Sequence, residues 1–382
     1  MMDFTELGKY LDSLYTQNVP GLDMVILKDH QEIYRHMAGF RDEARQCPIQ
    51  GDEIYALYSC TKVYTSCALM QLVEREQISL DDPVSRYLPA YAHLMVKEGD
   101  SLRPPKRPVL IRHLLSMQSG MDYEADAEPI QKVLQATNGH ATTRQLVDAM
   151  AEKPLCFDPG TDFLYSLSHD VLAAVIEVVT GMSFSEYLRK NIFEPLDLHE
   201  TGFSLRDDER DRICAQYEFQ EDTRTLKVLP EGWNNYRYSD QYESGGAGLF
   251  STVEDYGIFA DALACGGLVR TGARILKPDT IWLWSGNQLV PRAKSTFDTW
   301  NRRGYSYGLG VRTRVDLGTG GPGTVGEFGW DGAAGSYVMI DPHLHLSVFY
   351  AMHVKNFGYC YDVIHPRIKE LVYEGYKESD RG

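Results

Sequence analysis

The chain has 382 residues, 43% of them hydrophobic, enough for one large core or for two lobes sharing a cleft. Its 54 acidic residues outweigh 38 basic ones and give a formal charge of −16; a nucleic-acid or anionic-membrane surface needs the opposite balance, with Lys and Arg clustered against phosphates. No apolar run approaches the roughly 18 residues of a membrane span, and the opening MMDFTELGKYLDSLY lacks the basic and apolar regions of a secretory leader, so a cytoplasmic location is expected.

In chain order, MVILKDHQEIYRHMAG (24–39) predicts two short strands joined at Asp29-His30 as a hairpin. Helical signals dominate from about 60 to 265. Thr142-x-x-Gln145, Ser183-x-x-Glu186 and Ser251-x-x-Glu254 resemble capping boxes, and Gly181 and Gly266 stand where helices should stop. After about 300, YSYGLGVRTRV, AGSYVMID and LHLSVFYAM are rich in strand-forming residues between Gly and Pro. Strands at both ends around a helical middle predict an α+β fold. Residues 1–70 and 250–382 would form an α/β lobe with a central antiparallel sheet flanked by helices, and 71–249 an inserted, mainly helical lobe, with the active site between them.

The chemistry begins in YALYSCTKVYTSCALMQLVE (55–74), where Ser59 precedes Lys62 by three positions at the start of an apolar helix. On a helix the two side chains share a face. The free N–H groups of the first turn favour developing negative charge, and an amine kept neutral by burial can take the hydroxyl proton. Ser-x-x-Lys alone is weakly specific, because Ser is a common N-cap and Lys a common helix residue. Two further segments add to it. In FDPGTDFLYSLSHDVLAAVIEVVTG (157–181), Tyr165 precedes a long helix; a phenol near an ammonium has its ionised form favoured, which suits a base or relay between Ser59 and Lys62. In FGWDGAAGSYVMIDP (328–342), small residues precede a strand and allow close approach of a substrate, and the Ala333 N–H is expected to pair with that of Ser59 around an oxyanion.

With these three segments the chain resembles the serine β-lactamase and penicillin-recognising superfamily, most closely its class C β-lactamase-like branch, which includes family VIII carboxylesterases and D-amino-acid-specific peptidases. VLIRHLLSMQSGMDY, YLRKNIFEPLDLHETGFS, SGGAGLFSTVEDYGIFADALACGG and YGLGV extend the resemblance in order over roughly residues 20 to 375. It implies acylation of Ser59, proton handling by Lys62 and Tyr165, release by water, and no cofactor. Two departures bear on the substrate. Leu167 stands where the family's lactamases carry an Asn, and Trp330-Asp331-Gly332 replaces Lys-Thr-Gly. The resemblance therefore implies a substrate contact for Leu167, Trp330, Asp331 and Gly332 different from that of a lactamase. Asp331 would disfavour an anionic group and suit a neutral or cationic one, and hydrolysis of small neutral esters is the preferred expectation. A D-amino-acid peptidase or amidase with Asp331 holding the amine, a weak β-lactamase, and a catalytically silent scaffold are the alternatives.

Competing motifs carry less. The Gly-x-Ser-x-Gly of α/β-hydrolases is absent. Gly318-x-Gly320-x-x-Gly323 contains Pro322 and reads as a turn rather than a dinucleotide site. His343 and His345 would share one strand face without a third metal ligand, His113 is expected to pack near the lobe junction, and Cys60 is not expected to be a nucleophile. The seven cysteines are odd in number, with no C-x-x-C pair, and read as reduced thiols. The expected partner is a small ester or amide, with no metal, nucleic acid or membrane.

Overall fold

The computed structural model describes residues 2–377, and the central sheet is built from both ends of that span. Its strands are β1 (Gly21–Lys28), β2 (Gln31–Gly39), β3 (Tyr305–Tyr307), β4 (Arg312–Arg314), β5 (Phe328–Asp331), β6 (Tyr337–Asp341) and β7 (Leu346–Met352). They pair in the order β2-β1-β7-β6-β5-β4-β3, every neighbour antiparallel. Asp29 and His30 join β1 to β2 with φ of 49° and 64°, the left-handed pair that a two-residue hairpin matched to strand twist requires.

Helices cover both faces. Five of them matter here: α1 (Thr5–Ser13), α2 (Thr61–Glu74), α3 (Ser168–Thr180), α4 (Val253–Ala264) and α5 (His365–Lys377). The strand period of two sorts the core. Met24 and Ile26 of β1, with Tyr337 and Met339 of β6, pack with Leu7 and Leu11 of α1 and Ile368 and Val372 of α5. Val25, Val338 and Phe349 point the other way, onto α4 and α2. Tyr256 of α4 stacks on Phe349 with ring centres 4.0 Å apart, and Gly257 lets the helix approach, since a Cβ there would lie 2.7 Å from Val25 Cγ1. The inner strands thus read as nearly continuous apolar runs because both faces are covered.

The helix signals held with one shift. Thr142 accepts from the Gln145 amide and Ser183 from the Glu186 amide, but α4 is capped by Thr252, accepting from Asp255, rather than by Ser251. Gly181 ends α3 in the left-handed region. The middle of the chain is less uniformly helical than its texture suggests: Tyr217–Gln220 and Thr225–Val228 form a hairpin, and Val354–Lys355, just beyond β7, pairs parallel with it. His343 and His345 lie at the β6–β7 turn, where His345 has φ 50°, and not on a strand face. Among the described residues no single helix is long and apolar enough to cross a membrane.

The cap at Thr142 is expected to be worth about 1 kcal/mol. Thr142→Ala should lower the urea midpoint accordingly while leaving activity per folded molecule unchanged, and an unmoved midpoint would show that the capping bond contributes nothing.

Candidate active site

Ser59 lies in a tight turn, Tyr58–Cys60, between a short strand (Tyr55–Ala56) and α2. The strand is pinned to Phe250–Ser251, and the Leu57 amide donates to Leu249 O at 2.9 Å. Tyr58 takes φ 46°, a costly conformation for an aromatic residue. Its hydroxyl donates to Gln216 Oε1 at 3.0 Å, a bond that holds the turn in place. α2 itself is buried from Thr61 to Leu72, apolar contacts surrounding it on all sides.

That burial sets the state of Lys62. Its Nζ lies 3.2 Å from Ser59 Oγ, 2.8 Å from Gly246 O and 3.3 Å from the Tyr123 hydroxyl, with no solvent exposure. Desolvation pushes its pKa down to about 7, against the pull of Asp170. Asp170, in the first turn of α3, is buried; its Oδ1 accepts from the Tyr242 and Ser244 hydroxyls at 2.7 and 2.6 Å. Among the described residues its Oδ2 has no hydrogen-bond partner. A Cβ placed on Gly246 would sit 2.6 Å from that oxygen and 3.4 Å from Lys62 Nζ, so glycine keeps the carboxylate and the amine close across the loop.

Tyr165 arrives on a segment laid along residues 117–122, through Leu164 N to Met117 O (2.9 Å), Gly160 N to Gln118 O (2.7 Å) and Leu167 N to Asp122 O (3.2 Å). This pairing sets Tyr123 and Tyr165 side by side, rings stacked at 5.3 Å. His113 packs under the segment, and a Cβ on Gly160 would meet its Nε2 at 2.7 Å. Burial pushes the Tyr165 phenol far up, and hydrogen bonds from Ser59 and Trp330 oppose this only in part. Burial outweighs these hydrogen bonds and favours the protonated phenol, against the ionised form that a nearby ammonium would favour.

The third segment divides between two faces. Trp330 donates from Nε1 to the Tyr165 hydroxyl at 2.9 Å, and its ring stacks on Tyr165 at 5.5 Å. Asp331, one residue on, points to the opposite face. It pairs with Arg312 at 3.0 Å, Arg302 at 3.1 Å and His365 at 3.2 Å, and the two guanidinium groups hold its carboxyl well below the usual range. Asp331 is not brought to Ser59, because adjacent strand residues face apart, and the expected amine-binding role is withdrawn. Gly332 serves a different approach than expected: a Cβ there would lie 2.4 Å from Leu57 O, so it brings β5 against the turn that carries Ser59. Ala333 follows in the next turn, beside Tyr58 and Ala56. Leu167 is 4% exposed and sits in the helical core beside Met121, Ile130 and Met150, a packing role rather than a substrate contact. Cys60 is buried, its thiol pushed up to about 12, and is inert.

The sequence reading missed Asp170 and left Tyr123 without a role. The signal for Asp170 was an acid in the first turn of a helix following Tyr165; nothing local marks Tyr123. Potential metal ligands gather where the β1–β2 and β6–β7 turns meet the end of α4, at Asp29, Cys265 and His345 and at His30 and Asp261. They are already engaged with one another, His30 with Asp261 at 2.6 Å and His345 with Asp29 at 2.8 Å.

A family model described as Beta-lactamase matches residues 4–363. The chain belongs to the beta-lactamase family. It is 27% identical over 375 residues to Esterase EstB of Burkholderia gladioli, covering 91% of this chain and 90% of that protein. It is 30% identical over 305 residues to Lovastatin esterase of Penicillium rubens (strain ATCC 28089 / DSM 1075 / NRRL 1951 / Wisconsin 54-1255), covering 75% and 73%. Among solved structures, "EstCE1, a hydrolase with promiscuous acyltransferase activity" superposes with a TM-score of 0.77 at 25% identity, over 97% of this chain and 98% of that one. The family resemblance read from the motifs therefore holds along the chain, and esterases and acyl-transferring enzymes are among its relatives.

A lysine held near 7 and partly restored by Asp170 makes a pH prediction. Only the neutral amine accepts a proton, so kcat/KM for a short ester should rise as pH passes through about 7. Asp170→Asn removes the charge that raises the lysine, and the rising limb should move to lower pH; an unmoved limb would show that another group titrates.

Proposed function

We propose that this protein is a serine esterase that hydrolyses small neutral esters through an acyl-enzyme on Ser59. The observation that carries the reading is the buried Lys62 amine, 3.2 Å from Ser59 Oγ and pushed down to about 7. In its neutral form the two N–H groups can donate to Gly246 O and the Tyr123 hydroxyl, leaving the lone pair for the Ser59 hydroxyl. Oγ then bonds to the ester carbonyl carbon as its proton passes to Nζ. The oxyanion rests on the Ser59 and Ala333 amides. Collapse breaks the bond to the alcohol oxygen, which takes the Tyr165 proton; the proton gained by Lys62 replaces it. Water repeats the sequence on the acyl group and returns Ser59. The Trp330 indole N–H fixes the Tyr165 oxygen throughout.

The surroundings favour a neutral substrate. Tyr123, Tyr165, Tyr236, Trp300 and Trp330 form a contiguous aromatic cluster around the serine. With Asp331 occupied by arginines, an ammonium group has no partner on β5, which argues against the D-amino-acid amidase. With Trp330 and Leu167 in place of a cation and an amide, a β-lactam has few anchors. The esterase names of two relatives support the same choice. A second reading, acyl transfer to an alcohol, is favoured by the low 8% exposure of Ser59 among aromatic rings, which limits water.

Ser59→Ala should lose p-nitrophenyl butyrate turnover by about a thousandfold or more, the wild type should show an acyl adduct by intact mass, and nitrocefin should be cleaved slowly by comparison. Retained turnover in the variant would sink the esterase reading. Product analysis with added alcohol separates transfer from hydrolysis. Trp330→Phe keeps the ring and removes the N–H, so kcat should fall about tenfold, the value of one hydrogen bond, and an unchanged kcat would mean that Tyr165 needs no such support.

A further inference from the structure

The ion pairs of Asp331 form part of the lining of a cavity of about 480 Å³ on the face of the sheet that carries α5, a size suited to a small ligand. Five Arg or Lys side chains and three carboxylates line it, a positive enclosure in a chain of formal charge −16. The carboxylates are largely spent: Asp331 is shared by Arg302 and Arg312, and Glu370 pairs with Arg367. Lys369 and Arg303 are different. Lys369 is 4% exposed, and its Nζ donates to the Tyr305 hydroxyl at 3.0 Å and Gly320 O at 2.7 Å, both uncharged. The Arg303 Nε donates to Asn301 Oδ1 at 3.3 Å. Among the described residues neither has a carboxylate at ion-pair distance. Burial above all, with Arg314 and Arg312 nearby, pushes Lys369 down to about 8 against the pull of Glu327. A nearly buried ammonium that reaches its carboxylate neighbour, Glu327, only through the Tyr305 hydroxyl is expensive, and an arriving anion lowers the expense. Tyr305, Tyr337 and Tyr361 supply ring surface beside these cations.

We propose that this cavity is a second binding site, separate from Ser59, for a small molecule whose carboxylate or phosphate head pairs with Lys369 and Arg303 and whose body lies on the tyrosine rings. The site rests on charge and shape alone and does not depend on the esterase reading.

Isothermal titration of the full-length protein with sodium phosphate and, separately, sodium benzoate at fixed ionic strength tests it. Saturable one-to-one binding of at least one anion is expected, weakened tenfold or more by Lys369→Gln and by Arg303→Gln and unchanged by Ser59→Ala. Phosphate alone would identify a phosphate head; benzoate alone would identify a carboxylate on an apolar body. No saturable binding of either anion, full affinity in Arg303→Gln, whose exposed side chain can be changed without threatening the fold, or loss of binding in Ser59→Ala would overturn it.

Discussion

The constraint on which the site depends is the burial of one amine. Lys62 can approach neutrality only where water is excluded, and α2, which carries it, is buried from Thr61 to Leu72 within one large core. The hydrogen-bond partners of Nζ are polar but uncharged, a serine hydroxyl, a phenol and a carbonyl, and the amine lies over the Tyr165 ring at 4.7 Å. The carboxylate of Asp170 is held back behind Gly246 by bonds to Tyr242 and Ser244. A direct ion pair would lock Lys62 as an ammonium. Full removal of the charge would let its pKa fall further, at some loss of basicity. The observed spacing lies between these extremes.

The parity of β5 distributes two chemistries over two faces of one strand. Trp330 bonds to Tyr165 on one face, while Asp331 neutralises Arg302 and Arg312 beside α5 on the other. Residue 331 is thus an electrostatic pin at the back of the strand that carries the site. Gly332 completes the arrangement, since any side chain there would separate β5 from the turn that carries Ser59.

The same parity marks where sequence reasoning stops. The hairpin at Asp29-His30, the caps at Thr142 and Ser183 and the glycine stop at 181 were legible because each rests on local backbone chemistry. Ser59, Lys62 and Tyr165 were singled out because their spacing and order match a known pattern, and the structure sets the Lys62 amine 3.2 Å from the Ser59 hydroxyl. Asp331 was placed wrongly because the sequence suggested that the third segment precedes a strand; once residues 328–331 are themselves a strand, Trp330 and Asp331 must diverge. The upward push on the Tyr165 phenol was hidden for a related reason: proximity of charges can be read from motifs, but desolvation depends on contacts from distant segments. Tyr123 and Asp170 belong to the same class. Each acquires its place only through tertiary pairing, the first along residues 117–122 and the second across the 244–246 loop.

The strained turn at Tyr58 links these observations. A left-handed φ on an aromatic residue persists only where its surroundings enforce it. Here the enforcing contacts are the bond from its hydroxyl to Gln216, the Trp233 carbonyl at 3.2 Å, and the Lys355 ammonium 4.8 Å from the ring centre. Gln216 and Trp233 flank the hairpin of residues 217–228, and Lys355 lies on the strand that pairs with it. The element that breaks the helical texture of the middle of the chain therefore braces the residue next to Ser59. Tyr236, from the same stretch, reaches Tyr123 at 5.3 Å and so contributes to the aromatic wall. The posture of the Ser59 turn and the position of the aromatic wall are set by one segment, so a change in either is bound to be felt by the other.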